Sequence, residues 1–196
     1  NRVKTLSLSK KEKREIGLPN IDRFCERAFF SAGGTLLATK LALKYGVAAN
    51  LAGGSHHAAQ GGGSGFCIFN DVAVAVNCLL NIGEIKNVLI LDLDVHQGDG
   101  TAKIFQSDER VFTVSLHCRK NFPARKAKSN LDVDLDPGIT DTDYLNHLDD
   151  ALMKISDVPA DLIIYNAGVD IHENDTLGYL KVSSVGIMSR ERKIVN

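Results

Sequence analysis

Residues 88–100 read Val-Leu-Ile-Leu-Asp-Leu-Asp-Val-His-Gln-Gly-Asp-Gly. Asp92, Asp94 and His96 stand at alternate positions. Alternate side chains of a strand point the same way. The spacing therefore predicts two carboxylates and an imidazole converging where an apolar run of β-preferring residues ends. Such groups are costly to bury unless they are paired or bound to metal. The carboxyl end of a parallel strand is also where open α/β sheets place their ligands. The plain alternative is a strand that ends in a polar turn.

A second apolar run, 161–165, leads into Asn-Ala-Gly-Val-Asp at 166–170. If the two strands lie near one another, Asp94, His96 and Asp170 meet at one sheet edge. Two carboxylate oxygens, one imidazole nitrogen and an open position for water suit a catalytic zinc. Fe2+ fits the same ligands. His56 and His57 lie on a loop framed by Gly53-Gly54 and by Gly61-Gly62-Gly63-Ser64-Gly65. Alone, a loop histidine pair is weak ground for catalysis. Beside three metal ligands, one of the two becomes a general base for a metal-bound water. A carboxylate on its other ring nitrogen would orient it; Asp92 and Asp99 are near in sequence.

The elements that must hold these residues follow from periodicity. Residues 1–20 are polar and basic, and read as a short helix or mobile arm. Helical spacing runs over 24–45, with Leu36, Leu37, Ala38 and Leu41 on one face and Gly46 as the C-terminal cap. Residues 47–51 are a short strand candidate. A helix over 70–81 buries Val72, Ala73, Val76 and Leu80. The strand over 88–94 is followed by a short helix to 105. Strands are expected at 110–116, 131–135 and 161–165, the first and last buried, with a basic loop at 118–129. An amphipathic helix covers 143–155, capped by Asp141 or Thr142, and Ser183 or Ser184 caps a last helix that runs to Asn196. Alternation of this kind predicts an α/β domain over 1–196, with a mainly parallel sheet and helices on both sides.

The 196 residues carry a net charge of −1, so nothing suggests a nucleic-acid or membrane surface. The basic N-terminus is followed by no apolar stretch, unlike a signal peptide. Four scattered cysteines, Cys25, Cys67, Cys78 and Cys118, argue for reduced thiols in a cytoplasmic-type compartment. Cys25, Cys67 and Cys78 are expected in or near the core, His117 near the site, and His147 in solvent. A homo-oligomer is compatible with this composition.

Five stretches in order carry a family resemblance: Gly-Gly-Ser-His-His, Ser-Gly-Phe-Cys-Ile-Phe-Asn-Asp, Asp-Leu-Asp-Val-His-Gln-Gly-Asp-Gly, Val-Ser-Leu-His and Asn-Ala-Gly-Val-Asp. Together they resemble the zinc-dependent histone deacetylase superfamily, from about Gly33 to Arg190. The Gly-Gly-Thr helix start and the Asn-Phe-Pro-Ala-Arg loop look most like its bacterial and class IV branch. The resemblance implies the arginase-like three-layer α/β/α fold and metal-dependent amide hydrolysis. By motif position, Asp94, His96 and Asp170 match the zinc ligands. His57 matches the principal base and acid with Asp99 behind it, and His56 the neighbouring histidine with Asp92 behind it. Phe66 and Phe122 match the aromatic walls of the acyl-lysine tunnel, and Gly65 the residue whose carbonyl holds the scissile amide N–H. Asp92, Asp94, His96, Ser115 and Leu116 match a K+ site built largely from backbone oxygens.

The implied substrate is an acetyl-lysine peptide or protein, or an acetylated polyamine. The family's transition-state tyrosine belongs to a glycine-rich loop downstream of anything here, and its first strand precedes Asn1. Tyr179 follows Leu-Gly in a different motif and is not matched to that role. The expectation is a partial domain, poorly active on these residues alone. Two rival readings differ in class: an acyl-lysine-binding scaffold with weak catalysis, and a dinuclear manganese ureohydrolase, which fits a tandem His-His poorly.

Overall fold

The computed structural model describes residues 2–195; Asn196, where the last helix was expected to continue, lies outside them. Four strands form one parallel sheet in the order β3-β2-β1-β4: β1 Val88–Asp92, β2 Val111–Cys118, β3 Leu131–Leu135 and β4 Leu162–Asn166. The helices are α1 Lys10–Ile16, α2 Asp22–Tyr45, α3 Asp71–Asn81, α4 Asp99–Phe105, α5 Asp141–Ile155 and α6 Ser184–Val195. No helix among the described residues is long and apolar enough to cross a membrane.

Strand alternation splits the core into two layers. Val88 and Ile90 of β1 pack with Val72, Val76 and Leu79 of α3 and Phe105 of α4. Leu89 and Leu91 pack with Tyr144, Leu148 and Ile155 of α5. Burial on both faces is why β1 reads as an unbroken apolar run. The α/β/α layering expected from the sequence is present.

Several local expectations are corrected. No strand forms at 47–51: the Asn50 amide instead donates to Ser31 O (3.0 Å) and Thr35 Oγ1 (2.8 Å), which pins the segment along α2. On α2 the buried line is Cys25, Ala32, Thr35 and Thr39, while Leu37 and Leu41 face outward. A small, partly polar line wins because Thr35 must reach a buried carboxylate, Asp71. β4 is not buried on both faces, since Ile163 is 59% exposed at the sheet edge. Helix α5 starts at Asp141, capped at Thr140 with no side-chain bond. Asp141 is turned away, accepting from Ser183 N (2.7 Å) and Ser183 Oγ (2.6 Å). Cys78 is exposed, not core.

The N-terminal segment is more than an arm. Ser9 and Glu12 form a reciprocal capping box on α1. Ile16 is buried, and its carbonyl accepts from Phe66 N at 2.7 Å. The segment thus braces the turn that carries Phe66.

Candidate active site

β1 ends at Asp92, so the three polar residues after the apolar run do not share one strand face. Asp92 is the last ladder residue, buried, and turned toward the α3 layer. Asp94 and His96 lie in the loop that follows, where the chain turns toward β4. Leu93 N donates to Asn166 O (3.1 Å), and Val95 N donates to Asp170 Oδ1 (2.9 Å). These bonds bring the two strand ends together. His96 Nδ1 lies 3.0 Å from Asp94 Oδ1 and 3.0 Å from Asp170 Oδ2. One donor atom from each of Asp94, His96 and Asp170 falls within 4.8 Å of the others.

This donor set fits a divalent ion. It offers two hard oxygens and one nitrogen, with side chains 17–21% exposed and therefore open on one side. The carboxylates are oriented by backbone N–H groups, Asp94 Oδ1 by His96 N at 2.8 Å and Asp170 Oδ1 by Val95 N. Burial disfavours a charged His96, yet its bonds to Asp170 and Asp94 outweigh burial and push its pKa up to about 9. The imidazole thus holds a proton between two carboxylates, and a divalent cation would take over that role.

The histidines sit on loop 53–65, which is tied down by the residues that open α3. Asp71 accepts from Thr35 Oγ1 (2.5 Å), Gly54 N (3.1 Å) and Ser55 N (2.7 Å). Asn70 caps α3 by accepting from Ala73 N (2.9 Å), and its amide donates to Ala58 O (3.1 Å) and Thr101 Oγ1 (2.9 Å). The loop is therefore held by the side chains of Asp71 and Asn70 and not by a strand ladder.

Each histidine meets its own carboxylate. His56 Nδ1 is 2.6 Å from Asp92 Oδ2, and His57 Nδ1 is 2.8 Å from Asp99 Oδ1. The two Nε2 atoms lie 3.1 Å apart. Burial opposes charge on His56, but Asp92 and Asp94 prevail and raise its pKa to about 10. Burial lowers the pKa of His57, and the neighbouring His56 lowers it further, against the pull of Asp99. The two rings are thus shifted in opposite directions, His56 toward its charged form and His57 toward the neutral imidazole. Asp92 Oδ1 also accepts from Asn166 Nδ2 (3.0 Å), and Asp99 Oδ2 from Lys103 Nζ (2.5 Å). Like Asp71, these two partners were not identified from sequence, although Lys103 stands at i+4 from Asp99 on α4, a readable ion-pair spacing. Arg190, buried on α6, left no sequence signal at all.

Gly65 and Phe122 close over His57. Gly65 has φ +53°, and a Cβ there would lie 2.5 Å from His57 Cδ2 and 2.9 Å from Phe122 Cε1. Only glycine permits this approach. The Phe122 ring stands edge-on to His57, centroids 4.8 Å apart. Asn121 steadies it, accepting from Phe122 N (2.7 Å) and donating to Leu177 O (2.7 Å). Phe66, also at positive φ (+65°), is 59% exposed with its ring beside Gly17. Ser115 pairs with Asp92 in the β1–β2 register, and Leu116 follows it in β2. His117 is fully buried, its Nδ1 3.0 Å from Ser115 Oγ. His172 pairs with Ser184 Oγ (2.9 Å), His147 is exposed on α5, and Tyr179 is half exposed.

The fold and the site together are a parallel α/β domain with an Asp-His-Asp cluster and two histidine–carboxylate pairs at its carboxyl edge. The histone deacetylase domain family matches residues 1–196, and the chain belongs to that family. It is 48% identical over 194 residues to an uncharacterised protein of Picosynechococcus sp., covering 97% of this chain and 64% of that protein. It is 40% identical over 166 residues to histone deacetylase 2 of Arabidopsis thaliana, covering 83% of this chain and 43% of that protein. Among solved structures, a histone deacetylase homologue from Aquifex aeolicus superposes with TM-score 0.79 at 28% identity, covering 86% of this chain and 49% of that one. An acetylpolyamine aminohydrolase from Burkholderia pseudomallei gives 0.72 at 26% identity, covering 87% and 54%. The chain thus spans between 43% and 64% of the length of these four proteins.

Proposed function

We propose that this chain carries the metal-binding and proton-transfer half of a deacetylase site that hydrolyses N-acyl-lysine or a related N-acylated amine. One observation carries the reading: the His57 ring stands 5.9 Å from the His96 ring, so a neutral base and the Asp94–His96–Asp170 donors face one volume. Family membership and the acetylpolyamine aminohydrolase likeness support an acylated amine as substrate class.

In this reading Asp94, His96 and Asp170 hold Zn2+, with Fe2+ as the alternative. When bound, the ion would polarise the acyl carbonyl and acidify water. His57, neutral and oriented by Asp99, removes a proton from water as its oxygen attacks the acyl carbon. It then delivers a proton to the leaving nitrogen as the C–N bond breaks. The products are a carboxylate and a free amine. His56, held as a cation by Asp92, places positive charge beside the reacting oxygen. Gly65 and Phe122, with Phe66 next to Gly65, would wall the acyl chain and exclude water. Backbone oxygens around Asp92, Asp94, His96, Ser115 and Leu116 are assigned to K+. A reducing, cytoplasmic-type compartment is proposed because the cysteines are all free thiols.

The test combines elemental analysis with hydrolysis of a fluorogenic acetyl-lysine peptide and of an acetylated polyamine. One metal per chain is expected, strongly reduced by Asp170→Asn, together with release of free amine. Undiminished metal in Asp170→Asn after dialysis would sink the ligand assignment. Metal binding without turnover of either substrate, in a protein that includes the downstream part of the family's domain, would favour the scaffold reading.

A further inference from the structure

Arg190 has no exposed surface, yet it is an ionised side chain in the layer beneath the site. It enters from α6, whose first turn is fixed by Ser183 Oγ accepting from Gly186 N (3.1 Å). Its Nη1 donates to Gly168 O at 2.6 Å and to Leu93 O at 3.2 Å. Both carbonyls belong to the loops that carry the metal donors. Leu93 precedes Asp94 by one residue, and Gly168 precedes Asp170 by two.

The β1–β4 ladder ends at the Asp92–Asn166 pair. Beyond it the two chains still touch: a Cβ on Gly168 would lie 2.6 Å from Asp94 Cα and 2.7 Å from Asp94 Oδ2. The carbonyls just past the ladder have lost their strand partners, and Arg190 supplies donors to both. A guanidinium can do this because it offers several N–H groups in a fixed plane, whereas an ammonium is a point charge. Its charge is matched by Glu191, which accepts from Nε (3.0 Å) and from Nη2. The Tyr165 ring of β4 lies under it, 5.8 Å from centroid to guanidinium carbon. A staple between α6 and the core would need only one such bond. Here both accepted carbonyls flank metal donors on different loops.

We propose that Arg190 is a positioning residue that sets the separation of Asp94 and Asp170 and so presets the cluster for its divalent ion. This rests on the metal reading above. Groups that orient metal ligands from outside typically account for about 10–100-fold in affinity.

The test uses wild-type protein, Arg190→Lys and Arg190→Ala, each stripped of metal and titrated with Co2+. Dissociation constants come from chelator competition, coordination geometry from the visible d–d absorption, and folding from thermal melts without metal. Both variants are expected to bind Co2+ about 10–100-fold more weakly, with shifted bands. Millimolar guanidinium should partly restore the Arg190→Ala spectrum by refilling the space. A lower melting temperature with wild-type affinity and bands in the folded variants would reduce Arg190 to a structural staple and overturn the proposal. Should Arg190→Ala not fold, Arg190→Lys decides: wild-type binding and spectrum there are also an overturning result. No Co2+ binding by the wild-type protein would sink the metal reading and this proposal with it. Equal binding by all three would sink this proposal alone.

Discussion

His56 and His57 are neighbours in sequence, both almost fully buried, and each holds a carboxylate with Nδ1. Their surroundings nevertheless separate them. His56 faces Asp92 and Asp94, which outweigh burial and keep it charged. His57 lies against the Phe122 ring and Gly65, and burial, helped by the neighbouring His56, lowers its pKa against the pull of Asp99. Two identical dyads are therefore shifted in opposite directions. The lesson is that a carboxylate's pull on a histidine is decided by the other charges that face the ring: Asp94 and Asp170 add to it at His56, and His56 opposes it at His57.

The comparison breaks most sharply at His57. In enzyme that turns over an acyl-lysine peptide, His57→Ala should lower kcat by about 10²–10⁴, the usual worth of general acid–base help, with metal content unchanged. Steady-state kinetics beside elemental analysis measure this. Near-normal turnover would transfer the base role to His56.

Both dyads share one platform, the Asp71 carboxylate under loop 53–65. Asp71→Ala leaves Gly54 N, Ser55 N and Thr35 Oγ1 without their acceptor. Buried donors left unpaired cost roughly 1–3 kcal/mol each, so about 3 kcal/mol of stability should be lost once part-exposure is allowed for. Chemical denaturation of the wild-type and variant proteins reads this directly. A change within error would show that water satisfies the loop equally well.

His56→Ala should be milder. It removes a charge near the reacting atoms but not the base, and about 10–100-fold in kcat is expected, as for other groups just outside metal ligands. Loss of the neighbouring cation also lets the His57 pKa rise, because His56 is one of the groups holding it down. The acid limb of kcat/KM should lie below about 6.5, the ordinary histidine value, in wild-type enzyme. It should move to higher pH in the variant. A limb that stays put would show that the two rings titrate independently.

The smallest effect belongs to Lys103. Its ammonium draws off part of the Asp99 charge. In Lys103→Met the freed carboxylate holds a proton on His57 more firmly, so the acid limb should again move to higher pH, by a fraction of a unit, with kcat on the plateau nearly unchanged. A pH–rate profile with the limb displaced to lower pH would contradict the sharing of Asp99 between His57 and Lys103.

What the sequence determined by itself is the material of the site and the order of its parts. The unbroken apolar runs at 88–91 and 162–164 mark strands, and the polar residues that end them mark the sheet edge, since β1, buried against two helix layers, has nowhere else to place carboxylates. The glycine-framed His56-His57 and the motif resemblance named the other participants. Local boundaries were less legible. The strand expected at 47–51 was displaced by one amide, Asn50, and the α2 core line by the demand of Asp71 for a hydroxyl, both long-range bonds that periodicity cannot register. The motif resemblance also set Asp99 behind His57 and Asp92 behind His56; the tertiary structure decided that Asp92 and Asp94, two residues apart, part company where the ladder ends. It alone placed Asn166, Lys103 and Arg190 around them. A proton's position depends on the sum of charges and burial within a few ångströms, and those neighbours come from residues tens of positions apart along the chain.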